Sequence, residues 1–429
     1  MTQEELLEII QEAKKNKTVE LNLSKCGITQ LPPEIGELKS LQLLVLGRYS
    51  SGYKDRNHFK TLPKEIGQLK NLTRLYVINN ELEEVPEEIG HLRNLTHLNL
   101  NYNLLKELPK EIGNLRNLTQ LDLKKNQLGE LPREIGQLRD LAHLNMNFNE
   151  LKSLPEEISQ LKNLTQLYMN FNSFKKFPVD ITRLTHLAQL DLKKNQLTEL
   201  PREFGQLRNL FYLNLSGNQL KELPEEISQL DNLIYFHISS NRIRELPTGI
   251  IHLNNLFYLD ISANHLRELP KEIVRLEKLK RLELDHNPLN FPPVEIVNQG
   301  SSAIMDYLKR MEDGQTLYEG KLLILGQGGV GKTCLMRRLI LDKYSDGQPT
   351  TEGIDIHPWE ITAPDDAQTR MTLNVWDFGG QEIYHATHQF FLTQRSLYIL
   401  AWDARQEEEY GRIDYWLKTI ETFAEDSPI

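Results

Sequence analysis

Apolar positions return along this chain with one fixed rhythm. From residue 18 to residue 298 a unit of the form Leu-x-x-Leu-x-Leu-x-x-Asn-x-Leu repeats, each copy followed by a stretch that opens on Leu-Pro. It is clearest at Leu108-Pro109-Lys110-Glu111-Ile112-Gly113-Asn114-Leu115-Arg116-Asn117-Leu118, continued by Leu121-Asp122-Leu123-Lys124-Lys125-Asn126-Gln127-Leu128. The asparagine recurs at eleven positions from Asn57 through Asn126 to Asn287, always 23 residues from the last. Cys26 takes the same place in the first unit, which makes about twelve units. Leu-x-Leu is the alternation of a short strand, so its leucines point inward while the residues between and beside them point out. One strand per unit predicts a stacked parallel sheet, a ladder of roughly 50 Å over ten intervals. The asparagine amide is expected to satisfy buried backbone groups of neighbouring loops. Proline restricts the backbone where each opposite segment begins.

This pattern resembles the leucine-rich repeat, whose sheet lines the concave side of a curved solenoid and binds protein partners. The outward column His97, Gln120, His143, Gln166, Gln189, Tyr212, Tyr235, Tyr258 and Arg281 belongs to that face. So, on this reading, does a second column of Tyr102, Lys125, Phe148, Phe171 and Lys194. The histidines alternate with glutamine and have no carboxylate cluster beside them, so a metal site is not expected. Asn-Leu-Thr triplets at Asn71, Asn94, Asn117 and Asn163 match a glycosylation acceptor, but the repeat accounts for them better. The spacing breaks once: Cys26 to Asn57 is 31 residues, with the extra residues between Gly47 and Arg56, a surface-loop insertion.

The array has distinct ends. Residues 1–17 read as an amphipathic capping helix with Leu6, Leu7, Ile10 and Ala13 on one face. The period stops after Asn287 at Pro288, Pro292 and Pro293, and residues 299–316 carry a connecting helix with Ile304, Tyr307, Leu308 and Met311 on one side, expected to cap the last repeat or to pack on the next domain.

A different chemistry follows over residues 317–429. The apolar run Lys321–Leu325 reads as a buried strand, and directly after it come Gly326-Gln327-Gly328-Gly329-Val330-Gly331-Lys332-Thr333 and the helical Cys334–Ile340. Gly-x-x-x-x-Gly-Lys-Thr between strand and helix is a phosphate-binding loop. Its glycines let backbone N–H groups face the phosphates, and the helix N-terminus favours an anion. Lys332 reaches the β- and γ-phosphates, and Thr333 ligates Mg²⁺. Downstream, the strand Met371–Val375 leads to Trp376-Asp377-Phe378-Gly379-Gly380-Gln381, and Pro349-Thr350-Thr351 lies between the two motifs.

Asp-x-x-Gly-Gln resembles the second switch of Ras-like GTPases. That resemblance implies Mg²⁺ at Asp377 and Thr351 as well as Thr333, the Gly380 N–H on the γ-phosphate, and Gln381 orienting the attacking water, with Lys332 beside it as the charge at the reacting phosphate. The phosphate cradle is then Gly326, Gln327, Gly328, Gly329, Val330, Gly331, Lys332, Thr333 and Cys334. Asp-Phe-Gly also occurs in protein kinases, but neither the kinase catalytic loop nor its Gly-rich loop is present. Behind a leucine-rich array, Asp377-Phe378-Gly379-Gly380-Gln381-Glu382-Ile383-Tyr384-His385 resembles the Roco family, whose Roc domain is a Ras-like GTPase. His385 and His388 are expected to pack or face solvent. The fold class expected is α/β: a leucine-rich-repeat solenoid with a curved parallel sheet, then the N-terminal part of a P-loop Ras-like domain. The implied ligands are GTP or GDP with Mg²⁺.

Composition narrows the partners. The chain has 429 residues, too many for one ordinary core, and a net charge of −10 disfavours nucleic acid. Its two cysteines, Cys26 and Cys334, allow no disulfide framework, and no stretch approaches the length of a transmembrane helix. A cytoplasmic, reducing compartment is expected. No guanine-reading Asn/Thr-Lys-x-Asp loop follows Gln381. The remaining strands of a Ras-like sheet are therefore expected beyond Ile429, together with the COR region through which the family dimerises. On the residues alone two other readings stay open: a non-catalytic repeat scaffold and an ATP-using P-loop protein.

Overall fold

The computed structural model describes residues 1–48, 56–312, 319–326, 329–342, 354–363, 366–378, 396–402 and 410–423. They fall into two compact units, Met1–Glu312 and Asp313–Ile429.

The first unit is a stack of twelve parallel strands in strict chain order, from β1 (Glu20–Asn22) to β12 (Arg281–Glu283). Registers are direct, so Leu121 lies beside Leu98 and Leu144, all fully buried. On the opposite side each repeat makes one short 3₁₀ turn. Pro109, with φ −65° and ψ 146°, leads into the turn Lys110–Asn114, which buries Ile112 and Gly113. A Cβ on Gly113 would stand 2.6 Å from the Glu134 carbonyl oxygen of the next turn, which explains the glycine of Glu-Ile-Gly: successive turns pack backbone to backbone.

The buried asparagines hold the repeats together. Asn126 donates Nδ2–H bonds to the Leu100 and Leu123 carbonyls, both at 3.0 Å, and its Oδ1 accepts from the Leu105 N–H at 3.1 Å. Asn149 repeats this one unit further on, with Leu123, Met146 and Leu128. The Asn-Leu-Thr triplets form a second, outer ladder. Asn117 donates to Arg93 O at 2.9 Å, and Thr119 donates to Thr96 O at 3.0 Å. Asn94 and Thr96 do the same one repeat earlier. Both polar residues of the triplet thus serve the repeat.

Helices close both ends of this core. Helix α1 (Gln3–Lys15) starts from a capping box between Thr2 and Glu5 and buries Leu6, Ile10 and Ala13, with Leu7 only half-covered. After a short turn, α2 (Val294–Val297), helix α3 (Ser301–Glu312) buries Ile304 and Leu308 in the same core. Ser301 Oγ donates to Leu282 O at 3.1 Å and accepts from Leu282 N at 2.9 Å, so it occupies the exposed edge of β12. Of the two placements expected for the connecting helix, it takes the cap on the last repeat.

The second unit has a four-stranded sheet in the order β14-β15-β13-β16, with β13 Glu319–Leu325, β14 Ile354–Ala363, β15 Asp366–Phe378 and β16 Leu397–Leu400. Strand β13 runs parallel to β15 and β16, while β14 is antiparallel to β15. Alternate residues of β13 serve opposite faces. Leu322 and Ile324 pack with Met336 of helix α4 (Lys332–Leu341), whereas Leu323 and Leu325 pack with Trp416 and Ile420 of helix α5 (Tyr410–Phe423). Burial on both faces is what a continuous apolar run encodes. Strand β15 extends well beyond the Met371–Val375 run expected from the sequence, and it pairs with β14, which the hydrophobic pattern does not predict. Pro358 interrupts its alternation, which an edge strand tolerates. Among the described residues no helix is long and apolar enough to cross a membrane.

Replacing Asn126 by alanine strands the buried Leu105 N–H and removes one of the two amide donors on each of the Leu100 and Leu123 carbonyls, which keep Asn103 and Asn149. We expect a loss of roughly 3 kcal/mol or more, against less than about 1 kcal/mol for Asn117→Ala on the outer ladder. Urea denaturation followed by circular dichroism of the two variants measures the difference, and equal losses would contradict the account.

Candidate functional site

The phosphate loop leaves β13 at its carboxyl end, where ligands of open α/β sheets bind. Gly326 has φ +141°, and a Cβ there would lie 2.1 Å from the Ala401 carbonyl oxygen. The Ala401 N–H donates to Leu325 O at 2.8 Å, so β16 presses directly on the start of the loop. Gly329 at φ +79° and Gly331 at φ +93° hold the rest of the turn in left-handed conformations, and Gly331 is the N-cap of α4. The first turn of α4 carries Lys332, Thr333 and Cys334, and the first N–H groups of any helix lack intrahelical acceptors. This is an anion cradle built from backbone.

Two side chains cross it. Lys332, 5% exposed, donates from Nζ to Gly326 O at 2.7 Å, folding back over the loop. Burial lowers its pKa, and the negative charge of Asp377 opposes that shift. Asp377, near the end of β15, is fully buried, and Thr333 Oγ1 donates to its Oδ2 at 2.6 Å. The two motifs, 44 residues apart in sequence, thus meet as a hydroxyl and a carboxylate beneath the phosphate loop. Two hard oxygens of this kind suit Mg²⁺. Val330 is partly exposed at the loop's tip and Cys334 is half-buried. Gln327, Gly328, Thr351, Gly380, Gln381, His385 and His388 lie outside the described residues, as does most of the 47–56 insertion.

The concave sheet is the other candidate surface. The first column sits where expected, on the first residue of each strand. The second column does not lie on strands. Tyr102, Lys125, Phe148, Phe171 and Lys194 all have φ between +54° and +61°, in left-handed turns just past the sheet. A three-residue strand ends before them, and the turn that aims the ladder asparagine inward requires this conformation. They form a rim.

Repeat register also brings together residues that sequence reading did not pair. His143 Nδ1 lies 2.7 Å from Gln166 Oε1, and its Nε2 is 3.4 Å from Asp122 Oδ1, a charge contact longer than a good hydrogen bond. Gln120 Nε2 donates to Asp122 Oδ2 at 2.7 Å. Burial pulls the His143 pKa down, but Asp122 and Gln166 outweigh it and the net shift is upward. Burial pushes Asp122 up, and its contact with His143 and the bond it accepts from Gln120 bring it below the usual value. Aligning the units by their asparagines places Asp122 diagonally beside His143, so this pair was legible in principle. Further along, Tyr212, His237 and Tyr258 form a chain of tilted rings 5.5 Å and 4.9 Å apart, and Arg281 lies 4.9 Å over Tyr258. Burial raises the pKa of Asp191 and of both tyrosines and lowers that of His237.

Fold and site together define a leucine-rich-repeat array joined to a P-loop domain. The family model described as "Ras of Complex, Roc, domain of DAPkinase" matches residues 321–429. A leucine-rich repeat region model matches 52–119, 87–177 and 178–242, and a second leucine rich repeat model matches 228–289. A solved leucine-rich-repeat protein of Leptospira interrogans is 35% identical with a TM-score of 0.52, covering 67% of this chain and 96% of that one. The probable serine/threonine-protein kinase pats1 of Dictyostelium discoideum is 40% identical over 152 residues, 31% of this chain and 5% of the kinase. The Ras-related protein Rab-30 of Homo sapiens is 34% identical over 121 residues, 28% of this chain and 56% of that protein. With leucine-rich repeats followed by a Roc domain, the chain belongs to the Roco family. It spans about a twentieth of the length of the kinase it matches.

Two outcomes follow from this geometry. Gly326→Ala drives a methyl group into the Ala401 carbonyl, so binding of a fluorescent guanine nucleotide should be lost while the repeat array melts unchanged. For the His143–Asp122 pair the pH signs are opposite. The histidine is held above its ordinary value of about 6.5, so its contribution is complete below that pH and is lost as pH rises through the raised midpoint. The aspartate is held below about 3.9, so its contribution is present above that pH and is lost as pH falls through the depressed midpoint. Stability relative to Asp122→Asn should therefore peak between about pH 4 and 6.5. NMR titration of His143 should show its midpoint fall in that variant, and an unmoved midpoint would remove the coupling.

Proposed function

We propose that this chain is a GTP-binding and GTP-hydrolysing switch carrying a protein-recognition module. The observation that carries this reading is the 2.6 Å bond from Thr333 to Asp377, which joins the phosphate loop to the switch motif at the base of the cradle. The glycine turn and the N-terminus of α4 bind phosphate through backbone N–H groups. Lys332 exchanges the Gly326 carbonyl for β- and γ-phosphate oxygens, whose negative charge favours the ammonium form that burial disfavours. Thr333 and Asp377, with Thr351 by resemblance, hold Mg²⁺, which when bound offsets phosphate charge. Gly380 contacts the γ-phosphate through its N–H, and Gln381 orients water for in-line attack, both by the same resemblance. Loss of the γ-phosphate then releases the segments around Thr351 and Gln381. Guanine preference rests on the match to the Roc model and the likeness to Rab-30.

The concave face supplies the recognition half, since exposed aromatics among polar groups mark protein-binding surfaces. Two free cysteines fit a reducing cytoplasm, and dimerisation through a COR region remains part of the proposal. A non-catalytic repeat scaffold is the competing reading, favoured by the size of the first unit.

Calorimetric titration of the full chain with GDP, a non-hydrolysable GTP analogue and ADP, with and without Mg²⁺, separates these readings. Guanine-selective binding is expected, abolished by Lys332→Ala. Thr333→Ala should remove the Mg²⁺ dependence of GTP-analogue affinity while leaving the fold intact. Binding of ADP in preference to GDP would overturn the guanine assignment, and no binding by a folded chain would leave the scaffold.

A further inference from the structure

Two phenylalanines, Phe148 half-buried and Phe171 exposed, stand side by side on the concave rim. Phe148 and Phe171 stack with ring centroids 4.2 Å apart and planes 9° from parallel, and Phe171 is 40% exposed. Both occupy left-handed turns, at φ +58° and +54°. That conformation disfavours bulky side chains and suits Asn or Gly, and other repeats use Asn79, Gly217 and Ser240 at the same position. Neither ring belongs to the repeat core. The turns themselves are held by backbone bonds, Phe148 N to Asn170 O and Phe171 N to Lys193 O, both 2.8 Å. Folding needs the turn, and nothing in the fold needs an aromatic ring on it.

Lysines bracket the pair. Lys124 and Lys125 lie one repeat before Phe148, and Lys193 and Lys194 one repeat after Phe171. Lys125, Lys193 and Lys194 are exposed and Lys124 is half-exposed. Lys124 and Lys125 lean over the Phe148 ring at 5.5 Å and 5.6 Å. Among the described residues none of the four makes an ion pair. The nearby carboxylates of Asp122 and Asp191 are buried and turned into hydrogen bonds with Gln120 and Asn170, so they offset only part of this charge at the surface. In a chain of net charge −10 such a cluster selects an acidic partner against the background. Four repeats span three strand spacings, roughly 14 Å, or about four residues of extended chain.

We propose that this rim is the docking site for an extended acidic peptide segment of a partner protein, with an aromatic or large aliphatic residue seated on the Phe148–Phe171 stack and carboxylates on either side meeting the lysine pairs. The proposal rests on, and sharpens, the reading of the concave face as a recognition surface. The rings are held before binding, so little ordering is lost when a peptide arrives.

The test is selection of a library of random linear peptides on the immobilised full chain, with selected peptides synthesised and titrated by fluorescence anisotropy. The expected result is enrichment of Asp and Glu flanking one large apolar residue. The double variant Phe148→Asn with Phe171→Asn should weaken these peptides about tenfold or more while melting no lower than the parent, since asparagine suits the left-handed turn. Lys125→Glu with Lys194→Glu should abolish binding. Peptides that are merely acidic and bind the asparagine variant equally would reduce the site to general electrostatics and overturn the proposal. Peptides lost instead on Tyr235→Ser with Tyr258→Ser would overturn it too, yet leave the concave face a recognition surface elsewhere. No enrichment over a blank support would count against both.

Discussion

A single buried amide, repeated every 23 residues, is the constraint on which the first unit depends. Asn126 bonds one backbone N–H and two carbonyls, and two of those three groups belong to the preceding repeat. A solenoid has no single core to enforce its geometry, so the junction between neighbours must carry both packing and polar satisfaction. Leucine columns provide the first without direction. The asparagine provides the second with direction, because its amide accepts and donates only along fixed lines. Strand length, turn conformation and rim all follow from aiming that side chain inward.

The same turn shapes the surface. Once the chain must pass through a left-handed conformation before each asparagine, the preceding residue is thrust outward at a fixed place in every repeat. That column is free to vary without disturbing the core. It carries lysine, tyrosine or phenylalanine in the middle of the array and small residues such as Gly217 and Ala263 further on. Stability and recognition are thus set by adjacent residues under separate demands.

In the second unit the corresponding constraint is the closeness of β16 to the start of the phosphate loop. Only a glycine at 326 lets Ala401 approach. That contact places the ends of β13 and β16 together while β15 delivers Asp377 from the other side of β13. The Thr333–Asp377 bond is the product of this three-strand convergence, and Lys332 lies in the space it encloses.

Much of this was legible in the sequence because repetition and glycine spacing are local signals. The 23-residue period determined the strands, their parallel order and the inward asparagine, and Gly-x-x-x-x-Gly-Lys-Thr after an apolar run determined the loop and helix around Lys332. Other features needed the tertiary structure. The short strands end before Phe148 and Phe171, so these residues sit on a rim and not on the sheet, a distinction of backbone angle that hydrophobic patterning does not carry. For the helix Ser301–Glu312 the sequence left two placements open, and the contact of Ser301 with the open edge of β12 decided for the cap. Strand β14 stayed hidden because Pro358 and a mixed edge blur its alternation. The pairing of Asp122 with His143 depends on the register between repeats. Local rhythm specifies which elements form, and only packing between them decides which faces remain for chemistry.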